Sequence, residues 1–216
     1  HELKPLLYAG LAAVSLAGAS GAAEAQSLSP VQIDQSGQLN QIAARQDGAR
    51  QRLQVIQRGA RHEARTHQAG AGNAAGVAQY GWANAAALNQ GGWRNQAVID
   101  QWGRQNQAGS HQLGRSNASR VSQIGHGNTA SSSQTGSNSR LHLVQVGQGR
   151  TAHVRQDQSH VSTLVLQGLF SANSNAMSGS STYQGGAGRD TLVIQRSRGP
   201  NGEPPVVCWS VSGRCR

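Results

Sequence analysis

The residues best placed to do chemistry in this chain are thirteen carboxamides at one constant spacing. Gln35, Gln46, Gln57, Gln68, Gln79, Gln90, Gln101, Gln112, Gln123, Gln134, Gln145, Gln156 and Gln167 follow one another every eleven residues. Their chemistry is hydrogen bonding, since a side-chain amide both donates and accepts. Amides stacked along an axis satisfy one another, whereas each buried singly would cost about 1 to 3 kcal/mol. Ladders of this kind stabilise cross-β assemblies, and a fixed period marks a repeat architecture.

No other constellation competes with the ladder. There is no nucleophile motif, phosphate-binding loop or His-Glu-x-x-His, so no catalytic residue, metal site or cofactor is expected. Asp34 and Asp100 share one phase of the repeat, and Asp47 and Asp157 share another. Stacked at ~4.8 Å per rung, these pairs would stand roughly 14 Å and 24 Å apart, too far for paired acid/base work. Eight histidines are present. His67, His126 and His142 lie twenty-two residues after Arg45, Arg104 and Arg120, so a rung of that length sets each beside an arginine. Protonation below ~6.5 would then oppose stacking. Trp82, Trp93, Trp102 and Tyr80 crowd the turns of the middle repeats beside Arg94 and Arg104. That interleaving suits either turn packing between rungs or a surface for single-stranded nucleic acid or sugar.

The elements that hold the ladder follow from the repeat unit, Gln-x-Gly-x-x-Asn-x-(small or apolar)-x-(apolar)-x-Gln. Glycine fills the second place from Gly37 to Gly147, including Gly70, Gly81, Gly92, Gly103, Gly114 and Gly125. Asparagine fills the fifth at Asn40, Asn73, Asn84, Asn95, Asn106, Asn117 and Asn128. The seventh and ninth hold pairs such as Leu53 and Val55, or Ala97 and Ile99. In an extended strand, places five, seven, nine and eleven share one face. The glycine and its neighbours predict a turn of about four residues. An eleven-residue period also fits a right-handed helical supercoil. A glycine in every unit would cost such a helix roughly 1 kcal/mol each, which favours strands. No proline between Pro30 and Pro200 removes a ladder donor. Just after the glutamines, Tyr80, Trp102, Ile124 and Val146 alternate with the mixed series Gly91, Leu113 and Thr135. That alternation predicts a rung of two strands and two turns, and about six such rungs would rise ~30 Å. The expected fold is an all-β, amyloid-like β-solenoid of eleven-residue half-repeats.

Composition sets the compartment and the partners. With 28 Gly, a single Phe, three Tyr and 36% hydrophobic residues, the chain lacks the makings of a conventional core. Its formal charge of +10 suits acidic partners such as nucleic acid, acidic polysaccharide or lipid headgroups, or a solvated face that keeps monomers apart. Residues 1–25 read as a secretory signal: Lys4, an apolar stretch from Leu6 to Ala17, then Ala23-Glu24-Ala25 as the cleavage site. Residues 26–34 form an N-terminal lead and 35–170 the repeat solenoid. Residues 171–197 hold a Ser-rich insertion and a brief return of the pattern at Gln184, Gly186, Val193 and Gln195. Residues 198–216 are a basic tail with three prolines and with Cys208 and Cys215, which in an exported chain predict one local disulfide.

The run Gln68-Ala-Gly-Ala-Gly-Asn-Ala-Ala, repeated as Gln79-Tyr-Gly-Trp-Ala-Asn-Ala-Ala up to Gln90, resembles the curlin repeat of bacterial curli. The resemblance spans Gln35 to about Gln167, with a fainter return to Gln195. It implies a secreted, extracellular functional amyloid, exported unfolded through an outer-membrane pore and stacked with itself or homologous subunits into adhesive, biofilm-forming fibres at the cell surface. High Arg content, degraded last repeats and a basic tail match the minor, nucleating type of subunit, while the long array matches the major type. The tail with Cys208 and Cys215 departs from the family pattern. The alternative is a monomeric secreted β-solenoid that binds glycan, a surface or nucleic acid through Arg and Trp.

Overall fold

The computed structural model describes residues 29–157 and 159–168 in full and the backbone of four further strands. In chain order these are β1 (Ala13–Gly18), β2 (Val31–Gln38), β3 (Gln41–Ala49), β4 (Arg52–Ala60), β5 (Glu63–Ala71) and β6 (Ala74–Trp82). Then come β7 (Ala85–Trp93), β8 (Gln96–Arg104), β9 (Gln107–Arg115), β10 (Ala118–His126), β11 (Thr129–Ser137) and β12 (Arg140–Gln148). The last five are β13 (Thr151–Gln156), β14 (Ser162–Gln167), β15 (Ser180–Gly185), β16 (Thr191–Gln195) and β17 (Val207–Ser210). Successive strands alternate between two sheets. One runs β1-β3-β5-β7-β9-β11-β13-β15, the other β17-β16-β14-β12-β10-β8-β6-β4-β2. Within each sheet the strands are parallel, apart from the antiparallel pair β16 and β17. Parallel strands need a crossover between them, and here the crossover is the strand of the opposite sheet. The chain is therefore a β-solenoid with twenty-two residues per rung, so that Gln79 stands opposite Gln57 and Gln101.

The inward places are those expected from the alternation. Ala75, Val77, Ala97, Ile99, Val121 and Leu143 are buried from one sheet, and Ile42, Ala86, Leu88, Ala108 and Ala130 from the other. The solenoid begins ahead of the first ladder glutamine: Val31 and Ile33 stand opposite Leu53 and Val55 and pack against the core.

The corners differ from the expected four-residue turn. Each repeat glycine from Gly37 to Gly147 lies inside its strand, and only two residues, such as Ala83 and Asn84, separate one strand from the next. The bend is made by two left-handed residues in close succession, Gly81 at φ 111° and Ala83 at φ 53°. Gly81 is required twice over, because a Cβ there would also collide with the carbonyl oxygen of Gly103 on the next rung. At the second position the chain tolerates Leu39, Arg50, Arg61, Arg94, Gln105 and Ser116, all with φ between 53° and 58°. Each such side chain costs roughly 1 to 2 kcal/mol relative to a right-handed conformation.

The return of the pattern after the insertion is also shifted. Gln195 stands opposite Gln167, as the ladder requires. Gln184 instead stands opposite Arg155, and Gly185 takes the place opposite Gln156. The extra residues between β13 and β15 leave the glutamines of that sheet one residue out of register. Cys208 lies in β17, whereas Cys215, Gly186, the rest of the insertion and most of 1–25 and 198–216 lie outside the described residues.

Two neighbouring corner positions should respond with opposite signs. Ala83→Gly is expected to raise stability by about 1 kcal/mol, and Gly81→Ala to lower it by more than that. Thermal melting followed by far-ultraviolet circular dichroism checks both.

Candidate functional site

The ladder glutamines form two continuous columns, one per sheet. In the first, the Nε2 of Gln35 donates to the Oε1 of Gln57 at 2.7 Å, and the same bond repeats at 2.7 to 2.9 Å through Gln79, Gln101, Gln123 and Gln145 to Gln167. In the second it runs from Gln46 through Gln68, Gln90, Gln112 and Gln134 to Gln156 at 2.7 to 2.9 Å. From Gln57 to Gln167 the other N–H of each amide crosses the core, as where Gln79 donates to the carbonyl of Glu63 at 3.0 Å. One side chain thus joins neighbouring rungs and joins the two sheets. From Gln57 to Gln167 these side chains are fully buried. The cost of removing an amide from water is met only because each finds its partner in the next rung. Gln156 ends its column differently, donating to the Thr163 hydroxyl at 2.7 Å.

The asparagines make a second pair of columns at the corners. Asn84 Nδ2 donates to the carbonyls of Tyr80 at 3.0 Å and Gly103 at 3.1 Å, and its Oδ1 accepts the backbone N–H of Asn106 at 3.0 Å. It holds its own bend and the bend of the next rung together. Asn40, Asn73, Asn95, Asn106, Asn117 and Asn128 make the equivalent bonds. The fifth place also holds members that the Asn pattern missed, and repeat phase alone would have found them. Gln51 reaches the carbonyls of Asp47 at 2.8 Å and Gly70 at 3.1 Å, but its longer side chain leaves Oε1 buried without a partner. Arg150 is buried there too, with Nε donating to the Val146 carbonyl at 2.6 Å, and burial pulls its pKa down.

His62 is the third such member, and its chemistry is specific. The backbone N–H of Asn84 donates to Nδ1 at 3.3 Å, which leaves Nε2 to donate to the Arg58 carbonyl at 3.1 Å. This neutral tautomer reproduces the acceptor and donor of an asparagine. Protonation would put a hydrogen on Nδ1 facing another N–H. Burial lowers the His62 pKa, with bonds to the carbonyl of Arg58 and to Gly81 acting the other way.

The expected histidine-over-arginine register holds: His67, His126 and His142 are in register with Arg45, Arg104 and Arg120. The expected repulsion fails at His67, because Asp47 lies between the charges. Its carboxylate accepts from Arg45 at 2.7 Å and stands 3.1 Å from His67 Nε2, and these two contacts, Arg45 first, lower its pKa. At His142 burial, then Arg120, lowers the pKa, with Asp100 opposing. The acids remain dispersed, each paired with an arginine: Asp34 with Arg58, Glu63 with Arg65, Asp100 with Arg120 and Asp157 with Arg155. Among the described residues no group of three or more His, Cys, Asp or Glu could hold a metal ion.

The described aromatic residues, Tyr80, Trp82, Trp93 and Trp102, lie outside the core. Tyr80 and Trp102 stack across neighbouring rungs with centroids 4.1 Å apart. The guanidinium groups over the indoles are not those of Arg94 and Arg104: Arg61 lies 5.3 Å from the Trp82 centroid, and Arg115, in register with Trp93 on the next rung, lies 5.8 Å from that of Trp93.

Both lowered histidine pKa values make stability pH-dependent. The contribution of neutral His62 is complete above the ordinary value of ~6.5 and is lost as pH falls through the lower folded value. His62→Asn should therefore lose less stability than the parent chain between about pH 7.5 and pH 5 in denaturant melts. Gln51→Asn, which removes the unpartnered oxygen, should add about 1 kcal/mol at either pH.

Comparison with protein-family models, with curated proteins and with solved structures found no match to this chain.

Proposed function

We propose that the chain is a subunit of an extracellular, curli-like fibre and acts at its start, as a nucleating subunit on which further solenoids stack. The observation that carries this reading is the dependence of each rung on an identical neighbour. Every ladder amide from Gln57 to Gln145 donates to the rung above and accepts from the rung below. A terminal rung is completed by another chain with the same pattern. The open edge of a parallel sheet recruits such a chain by main-chain pairing.

The two ends support different roles. At the N-terminal end β2 is paired only with β4 among the described strands, and the Oε1 of Gln35 accepts no side-chain amide there. The neighbouring edge, β3, is covered by β1, whose Gly18 stands opposite Gln46. Since β1 lies within the expected signal, cleavage after Ala25 would uncover that edge. At the C-terminal end the antiparallel β17 covers β16, which breaks the parallel register. Growth from the N-terminal end and attachment through the C-terminal end follow from this reading.

Purified chain beginning at Gln26 should convert to thioflavin-positive fibres after a lag that preformed seeds shorten, and should do so faster than the chain that retains β1. A persistently monomeric, non-seedable product would remove the fibre reading. Trace amounts should shorten the lag of a homologous major subunit, and an unchanged lag would reassign the chain to the major type.

A further inference from the structure

Charge is segregated on this solenoid. Every carboxylate of the described residues is paired with an arginine, and these pairs neutralise the two flat faces. The arginines left without an acidic partner among the described residues gather at the corners. One corner carries Arg61 and Arg104, the other Arg50, Arg94 and Arg115. Only Arg52 and Arg140 stand on the faces without an acid.

Tryptophan stands in the same two ridges. Along one, successive rungs present Ala60, Trp82 and Arg104 in register; along the other they present Ala71, Trp93 and Arg115. Two corners of different sequence therefore repeat one order, a small residue, an indole and a guanidinium. Trp82 is 38% exposed and Trp93 57%, so both indoles reach solvent beside the guanidinium groups over their rings.

From this arrangement we infer that the corner ridges bind single-stranded nucleic acid laid along the stacking axis, with the arginines on phosphates and the indoles against bases. Cations recur within one or two rungs, about 5 to 10 Å, a scale suited to the phosphates of an extended strand. Base-on-indole stacking is tolerant of sequence, which suits a ridge that offers one indole and no base-reading groups around it. A lipid surface fits poorly, because a bilayer needs a basic face and the faces keep only Arg52 and Arg140 without an acid. Duplex DNA fits poorly too, since no helix or free ribbon is present among the described residues to enter a groove. This site does not depend on fibre formation, so its test uses fresh monomer.

Full chain should bind a labelled oligothymidylate of about 20 nucleotides in fluorescence anisotropy, with affinity falling steeply as salt rises and with quenching of tryptophan emission. The double variant Arg61→Gln, Arg104→Gln should lose about tenfold in affinity and flatten the salt slope by about 1 to 2. The face variant Arg52→Gln, Arg140→Gln, of equal charge change, should lose much less. Trp93→Ala should weaken binding and reduce the quenching. Equal losses in the corner and face variants would overturn the proposal in favour of net charge alone. Unquenched emission of the parent chain would overturn it without any variant. Equal or tighter binding of polygalacturonate, with the same dependence on Trp93, would overturn it in favour of an acidic glycan.

Discussion

The structure depends on the hydrogen bond from one glutamine amide to the next across the rise of a single strand. That bond fixes both coordinates of the repeat. Its length demands that the amides lie one strand spacing apart, and its identity demands glutamine in every rung. The apolar core is too slight to set this register unaided, since its seventh place holds Ala75, Ala86, Ala97, Ala108 and Ala130. Small side chains bury little area and slide without much penalty. The amides do not slide, because a shift of one residue would turn them out of the core and a shift of two would bury each against a residue that cannot pair with it.

The corners follow from the same demand. To bring glutamine over glutamine after twenty-two residues, the chain must reverse within two residues at each end of the rung. Backbones of successive rungs then approach so closely at Gly81 and Gly103 that no Cβ fits between them. The asparagine columns close the same gap from inside, satisfying carbonyls that the tight bend turns away from the strand ladder. The left-handed residues at the second bend position, Arg61 and Arg94 among them, are tolerated because the bonds around them determine the backbone more strongly than side-chain preference does.

This division explains what could be read in the sequence. The glutamine ladder, the inward alternation and the twenty-two residue rung were legible because a strict period leaves its mark on residue type. The second bend position left none: Leu39, Arg50, Ala83, Gln105 and Ser116 share a conformation but no chemistry. Gln51, His62 and Arg150 were hidden for a related reason, since they meet the demand of an asparagine place with different functional groups. The partners of Trp82 and Trp93 were missed because each guanidinium comes from a neighbouring rung, Arg61 or Arg115, whereas sequence adjacency pointed to Arg94 and Arg104. Carboxylate placement was read correctly as dispersed, yet the bridging position of Asp47 between Arg45 and His67 needed side-chain geometry to be seen.

The glutamine bonds all point the same way, from the lower-numbered rung to the higher. A row of aligned hydrogen bonds polarises along its length, so the column behaves as a wire of summed dipoles with oxygen at its starting face. Two copies meeting head to head would set oxygen against oxygen, and neither could supply the missing hydrogen. Only an incoming solenoid whose open end presents amide N–H groups would complete the circuit. On the proposed stacking, the amide column would therefore act as an orientation filter, favouring one direction of approach.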